Sequence, residues 1–438
     1  MNILVVSDFE TKGGAAIATR RISDAIVKLG HSVHYAVCRT DADCEKSTPL
    51  QTDVLHWRSE SSILRGLTRK FLPPQGRKAS DERVVERSFT RLLERVRPDV
   101  VNFSNIHNAV SAGWSDGLLP IASRFAPVCW TLHDMWSFTG RCAYAHGCER
   151  FVTGCNAQCP TAGEYPAMQP ELIAPAWLRR QAVFAQLPEL AAIAVSGWMA
   201  AEAKRGLWCD HEVKVIHNGL PLERYELLDA AACRTELGVQ SSGPVLLAVA
   251  MDWRSPHKGG ALLVEAMRAM ESHKPTLLLL GGGELPGDLT GLRLVKLGLQ
   301  SQERFKAVAM SAADCLVHPA TAENFSNVLV EAAACGLLAA VFGVGGNAEI
   351  VADGRTGCIA GAVTGAGLAA AVERTLTMAQ AEPGLRQRIR AEAEGRFAVK
   401  LQAERYIAFY RQLIDRRSNL QGVAGAAIVG VKAETGHR

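Results

Sequence analysis

Asp314-Cys315-Leu316-Val317-His318-Pro319 and, a few residues on, Glu323-Asn324-Phe325-Ser326-Asn327-Val328-Leu329-Val330-Glu331 decide how this chain is read. The first segment is a short apolar strand that ends in a loop. The second is a polar entry into a helix that stays apolar or small from Val328 to Gly336, Glu331 excepted. A strand, a short polar loop and a helix N-terminus present free backbone N–H groups to an anion. A carboxylate on such a helix is expensive to bury unless its charge or its hydrogen bonds are met. One turn into the helix, Glu331 is placed to hold vicinal hydroxyls such as those of a ribose. Together these features imply a nucleoside diphosphate carrying a sugar. The plainer alternative is a core helix with one partly exposed glutamate.

Working outward, the same pattern repeats along both halves of the chain. Asn2–Ser7, Ser32–Val37, Pro98–Phe103, Pro127–Leu132 and Ala191–Val195 read as short buried strands with helical segments between them, the first helix spanning Ala15–Leu29 and closed by Gly30. Val213 to Pro221 reads as a bridging strand followed by an Asn-Gly turn, and a second set begins with Pro244–Met251 and continues through Pro275–Leu280, Asp314–Val317 and Leu338–Phe342. Short apolar strands alternating with helices argue for parallel sheets covered on both faces. The expected fold is therefore α/β, with two doubly wound Rossmann-like domains facing a cleft. The expected boundaries are residues 1–210, 211–395, a helix at 396–417 returning toward the first domain, and a flexible tail at 418–438. Ligands of open parallel sheets bind beyond the C-terminal strand ends.

Composition narrows the class. The chain has 438 residues, 48% hydrophobic and 21% charged, which suits more than one globular domain. A net charge of +4 gives no argument for nucleic acid. No secretory leader is visible ahead of the first strand and no apolar run reaches membrane-spanning length, so a cytoplasmic location is expected.

Several loop residues after strands carry candidate chemistry. Gly13-Gly14 follows the first strand and lets backbone approach a phosphate; it does not match the dinucleotide fingerprint. Asp41 and Asp43 follow the second strand and read either as functional acids or as ordinary loop aspartates. His133, just after the strand ending at Leu132, is placed to donate to a sugar hydroxyl or a phosphate, or else to serve structure. Arg254 and Lys258, four apart after Met251, suit the two phosphates of a leaving diphosphate.

In this order the motifs resemble the retaining glycosyltransferases of family 4, which have the GT-B fold. The resemblance rests on Gly13-Gly14, Val195-Ser196, Ile216-His217-Asn218-Gly219, Lys258-Gly259, the pair Glu323 and Glu331, Gly336, Gly345-Gly346-Asn347-Ala348-Glu349-Ile350 and Asp353-Gly354-Arg355-Thr356-Gly357. Thr131–Gly140, with the cysteines behind it, is similar to the branch acting on bacterial exopolysaccharides, the colanic-acid type included. His217 departs from the proline of many relatives, and Asp252-Trp253 alters the spacing around Arg254. The resemblance implies that Glu331 holds the donor ribose, and that Glu323 holds the transferred sugar. Asn324, Phe325, Ser326 and Asn327 would offer amides to the sugar and diphosphate, Arg254 and Lys258 would neutralise the leaving group, and His133 would touch the sugar. It also implies a UDP- or GDP-sugar donor, no cofactor for catalysis, and a glycan or polyprenyl-diphosphate-linked acceptor, with Arg20 and Arg21 as contributors to acceptor binding. A nucleotide-sugar epimerase or hydrolase, or a silent partner of another transferase, are the rival readings.

Two further segments stand out. Cys142, Cys148, Cys155 and Cys159 lie within a loop at about 140–160, with His146 beside them. Four thiolates there are a candidate structural Zn²⁺ site, the alternatives being free thiols or a disulfide. Ser61 to Ser80 interleaves Arg65, Arg69, Lys70, Arg77 and Lys78 with apolar residues and has no acid. Such a segment suits peripheral contact with an anionic membrane at its inner face, or else is a solvated loop face.

Overall fold

A computed structural model describes residues 1–39, 50–55, 74–107, 114–288, 290–300 and 302–434. They fall into two α/β units. The first comprises Met1–Ala194, Ala200–Ile216 and the chain from Gln402 onward; the second comprises Val195–Met199 and His217–Leu401.

The first unit is built on a seven-stranded sheet of β1 (Asn2–Phe9), β2 (Ser32–Arg39), β3 (Gln51–Val54), β4 (Val100–Asn105), β5 (Val128–Leu132), β6 (Ala191–Ala194) and β7 (Glu212–Val215). The strand order is β3-β2-β1-β4-β5-β6-β7 and every pairing is parallel. Central strands are buried along nearly their whole length, as Ile3 to Asp8 in β1 shows, because helices cover both faces. The edge strands β3 and β7 are exposed or half-buried throughout.

The second unit carries β8 (Val245–Asp252), β9 (Thr276–Gly282), β10 (Arg293–Gly298), β11 (Cys315–His318), β12 (Ala339–Phe342) and β13 (Gly357–Ala360). Their order is β10-β9-β8-β11-β12-β13, again all parallel. In each unit the order reverses direction beside the first strand, between β1 and β4 and between β8 and β11. Helices leaving on opposite faces there open a crevice at the C-terminal strand ends.

The strands read from the sequence are all present; β3, β10 and β13, absent from that reading, each lie at a sheet edge. The last helix runs Val399–Glu434, past position 417 where the sequence reading ends it and begins a flexible tail. No proline interrupts it and alanine is frequent, so nothing stops propagation. Within the first unit this helix buries Tyr406 and Tyr410 and pairs Arg416 with Glu212 at 2.8 Å. Among the described residues no helix is long and apolar enough to cross a membrane.

Candidate active site

At the reversal point of the second sheet, three segments converge. After β8 comes a turn carrying Arg254, His257 and Lys258; β11 ends at His318 and leads through Pro319 into the loop to Glu323; then the helix Asn327–Ala334 begins, with Ser326 as its N-cap. Two glycines make the convergence possible. Gly259 has φ +69°, and a Cβ there would sit 1.8 Å from the Pro319 carbonyl oxygen. Gly345, at φ +56°, would place a Cβ 1.6 Å from the Glu323 carbonyl oxygen. Both positions need a residue without a side chain, for conformation and for space.

Lys258 Nζ donates to Glu323 Oε2 at 2.9 Å, so two residues expected on different parts of a donor meet each other. Burial would raise the Glu323 pKa, but the charges of Lys258, His318 and His257 and the hydrogen bond from Lys258 together outweigh it and hold the carboxyl below its ordinary value. Arg254 is turned aside: it is 75% exposed at its side chain and forms a double hydrogen bond to Asp252. That bond draws Asp252 down to about 2. The unusual Asp252 thus competes for the arginine expected on a diphosphate.

Glu331 is 2% exposed. Tyr225 donates its hydroxyl to Glu331 Oε1 at 2.9 Å and Lys306 Nζ lies 3.7 Å away, which meets the cost of burying the carboxylate. Ahead of the helix, Ser196 donates to Asn324 Oδ1 at 2.7 Å, and Asn218 Nδ2 reaches Asn327 Oδ1 at 3.4 Å. The ring of Phe325 stacks on His217 at 5.1 Å, and His217 Nε2 is 2.9 Å from Glu349 Oε2. Glu349 also accepts the Gly197 and Trp198 amides at 2.7 and 2.9 Å. The histidine in the proline position therefore links the loop before the helix to a half-buried acid.

The reversal point of the first sheet holds a cluster that sequence reasoning missed. Asp8 at the end of β1 and His107 just after β4 meet Asp134 after β5. The His107 amide donates to Asp8 Oδ2 at 2.8 Å, its Nδ1 is 3.3 Å from the same oxygen, and its Nε2 is 2.7 Å from Asp134 Oδ2. Burial alone would depress His107, but Asp134 and Asp8 outweigh it and raise the imidazole to about 10. His107 is therefore an imidazolium at neutral pH. Asp134 stays below its ordinary value: burial opposes ionisation, and His107 with the Trp136 amide overcomes it. The available signal was the position of His107 after a buried strand, the same signal that singled out His133.

His133 is the contrasting case. Its Nε2 lies 3.2 Å from Thr19 Oγ1 and 3.0 Å from Ser104 Oγ, and burial pushes it down to about 4, so it is neutral. Both histidines line one small pocket with Ser104, Trp130, Asp134 and Trp136. Gly13 and Gly14 open the helix Gly14–Lys28, and a Cβ on either would meet nothing within 4 Å. Arg20, by contrast, is buried and spent on Glu10 and Asp24 at 3.2 and 3.0 Å.

Cys142, Cys148, Cys155 and Cys159, the residues expected to hold zinc, lie close enough for their charges to interact but are not drawn into a ligand set. Among the described residues no group of three or more His, Cys, Asp or Glu side chains is gathered to hold a metal ion. Cys142 and Cys159 each lie 3.7 Å from the Thr161 hydroxyl, all four cysteines of the loop are free thiols, and His146 pairs with Glu164 at 3.3 Å. Buried guanidinium groups tie the loop instead. Arg141 donates to the carbonyls of Pro166, Thr161 and Glu164. Arg180 donates to those of Trp136 and Thr139 and stacks on the Trp136 ring at 3.8 Å. Asp41, Asp43 and residues 61–73 of the basic segment lie outside the described residues.

Residues 12–224 match the model described as Glycosyltransferase Family 4, and residues 243–378 match Glycosyl transferases group 1. Both halves of the chain therefore match glycosyltransferase models. Among curated relatives, the Escherichia coli K12 glycosyl transferase WcaC, named for colanic acid biosynthesis, is 30% identical over 210 residues, covering 48% of this chain and 50% of WcaC. A D-inositol 3-phosphate glycosyltransferase of Frankia alni is 31% identical over 204 residues, 42% of this chain and 49% of that protein. The chain thus spans about half the length of these curated relatives. Solved structures share the two-unit GT-B fold over nearly the whole chain. Sucrose-phosphate synthase from Thermosynechococcus elongatus aligns with a TM-score of 0.67 at 21% identity, over 94% of this chain and 99% of that one. Anabaena HepE in complex with UDP and glucose aligns at 0.61 and 19%, over 93% and 99%.

Proposed function

We propose that this chain is a retaining glycosyltransferase that moves a sugar from a UDP- or GDP-sugar to a glycan hydroxyl in surface or exopolysaccharide synthesis. The observation that carries it is the Lys258–Glu323 pair at the strand reversal of the second unit, set directly before the helix that bears Glu331. A cation and an acid held together at that point suit a ligand that is anionic at one end and hydroxylated at the other. The complex of HepE with UDP and glucose and the colanic acid name of WcaC support the donor and product classes.

In this reading Lys258 meets the diphosphate, with Arg254 contributing once it leaves Asp252. Glu323 holds sugar hydroxyls, Glu331 the ribose, and the amides from Asn324 to Asn327 the sugar and phosphates, with Gly13 and Gly14 leaving room for the donor's phosphates on the first unit. His133, neutral and therefore able to donate one N–H, contacts the transferred sugar. The acceptor hydroxyl attacks on the face that the diphosphate leaves, and the departing phosphate oxygen takes its proton, so configuration is retained. Catalysis consists of positioning and of stabilising charge on the leaving group, with no metal required for that step. The acceptor is carried on a polyprenyl diphosphate, which puts the enzyme at the inner face of the membrane.

The test is incubation with a panel of UDP- and GDP-sugars and lipid-linked glycans, with and without chelator, reading the anomeric configuration of the product by NMR. Transfer with retention in chelator is expected. Inversion or free sugar alone would refute the reading.

A further inference from the structure

His318 ends β11 at 3% exposure, and its Nε2 is buried without a hydrogen-bond partner. That nitrogen lies 3.9 Å from Glu323 Oε2, the oxygen that Lys258 already occupies at 2.9 Å. An imidazole nitrogen left idle beside a carboxylate is costly unless a second state uses it. The surrounding backbone is fixed. The Thr321 amide donates to the His257 carbonyl at 2.9 Å, the Gly346 amide donates to the Asn324 carbonyl at 2.9 Å, and Gly259 packs against Pro319. Any rearrangement here must therefore be an exchange of side-chain partners.

This argument rests on the donor reading given above. Lys258 cannot neutralise both Glu323 and a diphosphate. When it turns to the phosphates, Glu323, whose side chain is only 11% exposed, is left as a buried charge without its cation. We propose that His318 is a positioning residue that replaces Lys258 on Glu323 when a nucleoside diphosphate binds, donating from Nε2 and taking up a proton from solvent.

The electrostatics agree with the geometry. The groups facing His318 are Glu323 and Lys258, with His257 acting on Glu323 from the neighbouring turn. In the unliganded protein burial pushes His318 down to about 4, Lys258 acts in the same direction and Glu323 opposes. Removing Lys258 from Glu323 deletes a repulsion and keeps the attraction, so the bound-state value rises. Affinity then falls as pH rises through that bound-state value.

The experiment is calorimetric titration of the full chain with UDP and with GDP at about pH 6.5, in PIPES and in Tris, whose ionisation enthalpies differ. Wild type is expected to take up a substantial fraction of a proton on binding. His318→Gln retains an N–H donor but cannot titrate, so it should bind within about threefold of wild type with no uptake. His318→Phe should lose both uptake and about tenfold or more in affinity. A second measurement needs no nucleotide: in Lys258→Met the His318 ring should titrate at higher pH than in wild type by NMR. Nucleotide binding with uptake unchanged in both His318 variants, or an unchanged His318 titration in Lys258→Met, overturns the exchange alone. Failure of wild type to bind either nucleotide overturns the donor reading and the exchange with it.

Discussion

Replacing Asp134 by Asn tests the charged histidine of the first unit. Asp134 is the closer of the two acids on His107, at 2.7 Å against 3.3 Å for Asp8. Moving His107 from its ordinary 6.5 to about 10 corresponds to a ceiling of about 5 kcal/mol of stability. Burial raises Asp8 at the same time and returns part of that, so a net contribution of about 2–3 kcal/mol is expected. The sign follows from the direction of the shift. A histidine raised in the folded state lends stability that is complete below about pH 6.5 and lost as pH rises toward 10. Asp134→Asn should therefore lower stability by about 2–3 kcal/mol near pH 6.5, with the gap to wild type closing toward pH 10. Urea unfolding followed by tryptophan fluorescence, where Trp130, Trp136 and Trp208 report the first unit, measures the gap. Histidine NMR should show His107 charged at pH 8 while His133 is neutral. A gap that is constant across pH, or a His107 that titrates near 6.5, would refute the reasoning.

Other outcomes follow from the second unit and the cysteine loop. Gly259→Ala forces a Cβ onto the Pro319 carbonyl at a left-handed position, and should cost about 2–4 kcal/mol in thermal unfolding and weaken nucleotide binding by displacing Lys258; wild-type stability would contradict the packing argument. Glu331→Ala should reduce nucleotide affinity tenfold or more, while Tyr225→Phe, which removes only the hydrogen bond that orients it, should cost about 1–2 kcal/mol of stability and less affinity. Equal affinity of Glu331→Ala and wild type in calorimetry would remove the ribose assignment. Arg180→Met breaks a guanidinium–carboxylate pair with Asp116 in which neither side chain is exposed, and should destabilise the first unit by about 3–5 kcal/mol. A loss under about 1 kcal/mol by chemical unfolding would show that other contacts hold the loop.

What the sequence determined by itself is the local alternation. Runs such as Asn2–Ser7 and Pro244–Met251 are apolar on both faces, and only a strand covered on both sides accommodates that, so two parallel sheets were legible without coordinates. The pair Glu323 and Glu331 was legible for the same reason, because a lone acid on an otherwise apolar helix demands a partner. Edge strands were not: Gln51–Val54 and Arg293–Gly298 mix polar with apolar residues, since one side of an edge faces water.

Tertiary structure alone decided the partners. His107 and Asp8 are 99 residues apart and Lys258 and Glu323 are 65 apart, and no spacing rule joins them. Strand reversal brings the ends of β1 and β4, and of β8 and β11, side by side. Cysteine spacing suggested a metal; in the fold the four thiols lie near one another without forming a ligand set, and buried Arg141 and Arg180 organise that loop through backbone carbonyls. Composition and periodicity record what a residue must avoid, which is water or its absence. Which group answers a buried charge depends on where the chain returns, and that is set only when the sheet order is complete.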